Sequence, residues 1–318
     1  MPLGFAKSIL TTAAATAGTG HVAYRQTNAL STGNLKGHTI QNIDFPNNND
    51  YSMVFWFRAN GADNDGDSDD WIDGVSGGTS GSNFLQVPHS SGTGSGELRL
   101  RYSMQDFGWQ MNVRHNTNSY IDGRGKGNTA TQAAHSFDGQ WRCLMISLKS
   151  DHDEDGASNT DGDSAERNFQ SVYVGDEDYT NMPAGHTRDT FISSNFTQGH
   201  MGYNDSSGFS TTMTTDFNIG PGFHRGPLWV YNSFINFNTQ SERRKFFDPA
   251  NTDGFVTPST DGTTSAGAAQ PNLYLYWNGS NLVNGGSDTV TITERTVGTG
   301  GSFTSIPASE GPGSGDTI

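Results

Sequence analysis

Any chemistry in this chain has to come largely from carboxylates, and the densest of these form two clusters. Asp63, Asp65, Asp67, Asp69 and Asp70 crowd one segment, while Asp151, Asp153 and Asp155, followed by Gly156, crowd a second. Asp-x-Asp-x-Asp-Gly is the first half of a calcium loop, in which hard oxygen ligands recur at alternate positions. The twelfth position is Gly162 where a bidentate Glu belongs, with Asp161 and Asp163 on either side. Two readings stand: calcium held by Asp151, Asp153 and Asp155, or a solvated acidic loop that supplies only charge and solubility. No cofactor is required by either.

Hydrolysis of a glycan would need two carboxyl groups about 5 to 9 Å apart, one acid and one base or nucleophile. Glu154, Glu166 and Glu177 lie in or beside the acidic segments, not in alternation along an apolar strand, so the chain is expected not to be an enzyme. The nine histidines are dispersed, with no His-Glu-x-x-His and no Cys/His cluster, which argues against a transition-metal site. His224 reads as a polar residue at a turn edge. Cys143 is the single cysteine, set between Arg142 and Leu144 in an apolar stretch; it cannot form an internal disulfide and reads as a buried thiol.

The elements that would position these groups are strands. The chain has 41 Gly and 26 Asp against 7 Glu, a balance that favours bends and strands over long helices. Residues 52–58 read as a strand whose apolar centre is unbroken, of the kind buried on both faces, and should be central. Residues 98–102 and 109–113 alternate apolar with polar and are joined through Gln105-Asp106-Phe107-Gly108, which predicts a hairpin. Asp138-Gly139 is a turn before a second central strand at 141–148, in which Leu144, Ile146 and Leu148 share a face. Further strands are predicted at 38–45, 83–87, 172–174, 272–277 and 290–293, with a turn at Asn278-Gly279. Residues 178–217 are polar and irregular and read as a loop-rich insertion.

Residues 219–248 organise the rest: a Gly/Pro turn, a strand and a short helix. Leu228 and Val230 should face one side of a sheet and Trp229 and Tyr231 the other. Thr239-Gln240-Ser241-Glu242 has the form of a capping box. Arg243, Arg244 and Lys245 fall at the negative end of the short helix, or could meet acidic loops of a neighbouring copy.

A formal charge of -15 and 18 scattered basic residues argue against nucleic acid as a partner. The longest apolar run is residues 53–57, too short for membrane insertion by a helix. The first eighteen residues end in small residues like a secretory signal, but Lys7 interrupts the apolar part and a basic start is missing. Residues 1–35 read as an arm, either docking or merely frayed; 36–250 as a two-sheet sandwich; and 251–318 as a Gly/Thr/Ser-rich β extension and tail.

Phe55-Trp56-Phe57, then Phe137-Asp138-Gly139-Gln140-Trp141, then Val172-Tyr173-Val174-Gly175, then Ile219-Gly220 with Phe223, Gly226 and Leu228, resemble in kind and order the concanavalin A-like (laminin G-like) jelly roll. The later series Arg243-Arg244-Lys245-Phe246-Phe247-Asp248, Asp261-Gly262, Gln270-Pro271, Asn284-Gly285-Gly286 and Gly300-Gly301-Ser302-Phe303 resembles the ending of such domains in virion proteins of tailed bacteriophages. Gly4-Phe5-Ala6-Lys7-Ser8 is similar to such proteins too. The resemblance implies an all-β fold and a non-enzymatic virion structural protein, a capsid decoration, fibre or tail component assembled in the host cytoplasm. Its partners would be copies of itself and other virion proteins. Glucanases of this fold carry a Glu-x-Asp-x-x-Glu arrangement that is missing here. Other members bind glycans through aromatic platforms, so a host-surface adhesin is the alternative. Trp71, Trp109, Tyr120 and Trp229 are the candidate platform residues, although such side chains serve equally in a core or a subunit interface.

Overall fold

The computed structural model describes residues 23–26, 35–45, 50–59, 81–88, 97–103, 108–114, 120–125, 138–149, 169–181, 196–201, 223–297 and 302–315. The strands are β1 (Tyr24–Gln26), β2 (Leu35–Phe45), β3 (Tyr51–Arg58), β4 (Gly81–Pro88), β5 (Glu97–Ser103), β6 (Gly108–Arg114), β7 (Tyr120–Gly125), β8 (Arg142–Lys149) and β9 (Phe169–Val174). They continue with β10 (Glu177–Asp178), β11 (Thr180–Asn181), β12 (Phe196–Met201), β13 (His224–Tyr231), the one-turn helix α1 (Gln240–Arg243), β14 (Leu273–Trp277), β15 (Leu282–Asn284), β16 (Thr291–Val297) and β17 (Phe303–Ser305).

Two antiparallel sheets result. The first runs β10-β9-β8-β3-β13-β1-β17, with β14 also on β13 and β15 on β14; the second runs β11-β7-β6-β5-β4-β12-β2-β16. This is the expected all-β two-sheet sandwich. As the apolar runs predict, β3 lies in the middle of the first sheet, between β8 and β13. The β5–β6 hairpin has the expected register, Leu98 opposite Val113 and Leu100 opposite Met111. Gly139 and Gly279 take left-handed φ of 80° and 98°, which is why a glycine follows Asp138 and Asn278 at those two turns.

Strand alternation divides the core in two. Met53, Phe55, Phe57, Leu144, Ile146, Leu148, Leu228 and Val230 point between the sheets and meet Ile40, Phe84, Leu98, Leu100, Trp109 and Met111. Val54, Trp56, Cys143, Met145, Trp229 and Tyr231 point away from the second sheet and form another buried cluster with Phe237, Phe246, Tyr274 and Ile306. The first sheet is therefore covered on both faces, which is why its central strands are apolar at every position but a few.

Those few polar positions are where the covering layer is fastened. The Ser52 hydroxyl donates to the Ser233 carbonyl and accepts from the Ile235 amide, and the Ser171 hydroxyl accepts from the Phe237 amide while bonding Ser147. Trp229 Nε1 donates to the Gly262 carbonyl at 2.8 Å, the Tyr231 hydroxyl to the Ala269 carbonyl at 2.8 Å, and Trp141 Nε1 to the Glu310 carbonyl at 2.8 Å. Each handle satisfies a group whose burial would otherwise cost about 1–3 kcal/mol.

Three expectations change. Thr239 is the N-cap of α1 but makes no side-chain cap bond, because the helix is only one turn long and Glu242 turns instead to Lys245 at 2.8 Å. Residues 178–217 are not all loop: β12 lies between β2 and β4 inside the second sheet, held by backbone pairing that needs no apolar alternation. The segment after residue 250 supplies strands to both sheets, β14 on β13 and β16 on β2, and within the predicted N-terminal arm β1 joins β13 and β17. The rest of that arm, residues 1–22, lies outside the described residues.

Candidate functional site

Of the candidate residues, Asp151, Asp153, Asp155 and Trp71 lie outside the described residues, as does the first acidic cluster. Among the described residues no group of three or more His, Cys, Asp or Glu is placed to hold a metal ion. Tyr120 is the first residue of β7, opposite Arg114. Trp109 and Trp229 are both fully buried, so neither can present a ring to a ligand. Trp109 packs between the sheets against Phe57 and Phe84, at 4.9 and 5.0 Å between ring centroids. Trp229 lies under the covering layer against Tyr274 at 4.9 Å. Both sit on strand faces that alternation turns into a core, which excludes them from a sugar platform.

The basic run after α1 is spent within the chain. Arg244 grips Asp176 with two parallel bonds of 2.6 and 2.8 Å, and Arg243 reaches the same carboxylate at 3.4 Å. Arg243 also donates to the Phe237 carbonyl at 2.6 Å and lies over the Tyr173 ring at 4.3 Å. The Arg244 hydrogen bonds, opposed by partial burial, hold the Asp176 carboxyl below its ordinary range. The two arginines thus clamp the short helix onto the β9–β10 turn, while Lys245 pairs with Glu242 of the helix itself. A carboxylate already on the same surface is a nearer partner than any in a second molecule.

A basic group that sequence reasoning missed lies at the start of β13. Arg58 and His224 are opposite each other on β3 and β13 and are both buried. The Arg58 Nε–H donates to His224 Nδ1 at 3.1 Å, which makes Nδ1 the acceptor and leaves the proton on Nε2. Arg25 Nη1 approaches that Nε2 at 3.4 Å, and Arg58 lies over the Trp141 ring at 5.3 Å. His224 is therefore a buried acceptor rather than a turn-edge residue. The signal was faint: Arg58 is a charge at the end of an apolar run, 166 positions away in sequence.

The second sheet has a different character. Cross-strand register lines up Thr293, Thr39, His200, Gln86, Arg99, Asn112 and Asp122 across seven strands. A neighbouring row joins Asn83, Arg101, Gln110, Arg124 and Asn181. In β5 and β6 these positions alternate with the buried Leu98, Leu100, Trp109 and Met111. These rows set Arg99, Arg101 and Arg124 in backbone register with Asn83, Gln86, Gln110 and Asn112.

No protein-family model matches the chain, and no curated protein matches it. Solved structures of similar shape include the heptameric SAP-like pentraxin of Limulus polyphemus, at 10% identity over 86% of this chain and 95% of that one, with a TM-score of 0.44. Mouse laminin α1 domains LG4–5 match at 10% identity over 67% of this chain and 43% of that one, TM-score 0.39. A provisionally named carbohydrate binding protein of Bacteroides ovatus matches at 10% identity over 91% of this chain and 61% of that one, TM-score 0.40.

Proposed function

We propose that this chain is a non-enzymatic structural protein of a tailed-bacteriophage virion, acting by assembly and surface binding. The observation that supports this reading is where the virion-like sequence motifs fall. Phe246 is in the second core, Gly262 takes the Trp229 N–H, Pro271 packs beside Gly262, and Asn284 caps the Tyr274 amide at 2.8 Å. Spread in sequence from Phe246 to Asn284, they meet in the layer that sheathes the first sheet. The sheath is fastened to the first sheet by specific hydrogen bonds, which suits a component held rigidly in a particle.

Quantitative mass spectrometry of purified particles, with immunogold labelling, tests this reading. A fixed copy number per particle at a defined location is expected; absence of the chain from intact particles would refute it.

A second reading, glycan recognition at the host surface, is favoured by the Arg- and amide-rich rows of the second sheet. On this reading Arg99→Ser with Arg101→Ser abolishes binding on a glycan array while leaving the thermal midpoint within a few degrees. An array with no signal, with or without calcium, would sink it.

A further inference from the structure

Arg225 is a second buried cation, on the opposite face of β13 from His224. It pairs across the strands with Phe57 on β3 and with Tyr24 on β1, two residues whose side chains face the inter-sheet core. The register then slips before Leu228, so the bulge at Gly226 and Pro227 lets Arg225 and Leu228 share one face. Arg225 is 1% exposed; the Tyr24 phenol is its polar neighbour and interacts with it electrostatically, but none of its three nitrogens reaches hydrogen-bond geometry, and among the described residues no carboxylate pairs with it. Its guanidinium lies over the rings of Tyr24 and Phe303, 5.5 Å from each centroid. From the second sheet His38 stacks on Phe303 at 4.7 Å, and Trp277 stacks on Tyr24 at 4.8 Å.

Magnitudes decide what this means. A guanidinium cannot shed its proton, so burial leaves it charged. Ring contacts recover about 2 kcal/mol when desolvated, against an effective cost of several kcal/mol for burying an ion. Five N–H donors are also left to satisfy. The two rings stand edge to face, 5.4 Å apart, and lend the guanidinium ring contacts without satisfying its N–H donors, which only an acceptor or an anion answers.

We propose that Arg225 is the cationic wall of an internal anion site between the sheets, and that the site takes a small monoanion of the halide class. Size and hydration set the class. The sheets enclose the site, and dehydration costs rise steeply with charge, so bromide and chloride enter where sulfate and phosphate do not. The inference does not depend on the virion or glycan readings.

The test exploits an opposition of trends. Excluded salts stabilise proteins generally, with sulfate ahead of halides. At constant ionic strength, millimolar bromide or chloride is expected to raise the thermal midpoint of the wild-type chain above that in sulfate, by a few degrees. Arg225→Met is expected to lose that halide advantage and keep only the general salt order. Because R225M could fail to fold, the wild-type chain is also read alone: ³⁵Cl NMR line broadening should be displaced by bromide, and a bromide-soaked crystal should show an anomalous peak within hydrogen-bond distance of Arg225. Halide effects identical in wild type and R225M, or no displaceable broadening and no peak, would overturn the proposal. So would a carboxylate of the chain itself seated on the guanidinium.

Discussion

Trp229→Phe separates two roles for the same residue: as a sugar platform it would govern binding, and as a core residue it governs stability. The ring is fully buried, with its Nε1 donating to the Gly262 carbonyl at 2.8 Å and with Tyr274 and Phe246 at 4.9 and 5.9 Å. Phenylalanine keeps most of the stacking but removes the donor. Orphaning the buried carbonyl costs about 1–3 kcal/mol, and the unfilled space beside a smaller ring costs about 1–2 kcal/mol. The expected loss is roughly 2–5 kcal/mol, a large part of the ~5–15 kcal/mol that holds a typical domain together. Guanidinium denaturation, followed by intrinsic fluorescence and circular dichroism, measures it as a lower midpoint at unchanged slope. Hydrogen exchange should quicken first in residues 258–264, the loop that Trp229 anchors, before the amides of β5 and β6. A loss below ~0.5 kcal/mol, or equal loosening of both sheets, would refute the assignment of Trp229 to the fastening of the outer layer.

Other expected outcomes follow from single contacts. Asp176 has its carboxyl held low by Arg244, so its contribution is full above the ordinary carboxylate range and is lost as pH falls from there through the lowered native value. Its side chain is 38% exposed and screened, so Asp176→Asn should cost about 0.5–1 kcal/mol at neutral pH, shrink in high salt, and converge with wild type in acid. Cys143 is fully buried and burial pushes its thiol up, so Ellman's reagent should react only after denaturation; rapid labelling of the native chain would contradict the packing. A Cβ on Gly285 would meet the Thr260 carbonyl oxygen at 1.8 Å, so Gly285→Ala should lose about 3 kcal/mol or more in thermal melts. Gly279→Ala meets open space and pays only for its φ of 98°, about 1 kcal/mol; equal losses for the two would undermine the close approach.

What could be read from the sequence follows from distance along the chain. Alternation in residues 98–113 and the unbroken runs of β3 and β8 are local patterns with a local cause, and the strands fall where they point. The split of β13, Leu228 and Val230 inward with Trp229 and Tyr231 outward, is legible for the same reason. β12 was not legible, because Phe-Thr-Gln-Gly-His-Met lacks an apolar period and its place is fixed by pairing with β2 and β4, each far away in sequence. The partners of Arg58 and Arg244 lie 166 and 68 positions away, so type and spacing gave no warning that these charges were already engaged.

The continuous apolar character of β3 does carry one further inference. An apolar run of that kind says only that both faces are covered, and a two-sheet sandwich covers one. The second cover must come from elsewhere, and the aromatics at 234, 237, 246, 247 and 255 are too many for loops that face water. The covering layer was therefore implicit in the excess of apolar residues after β13, and the serines at 52, 147 and 171 mark where it is tied down. A strand apolar on both faces but punctuated by buried serines points to a backbone crossing it, since only a polar chain segment gives those hydroxyls something to bond.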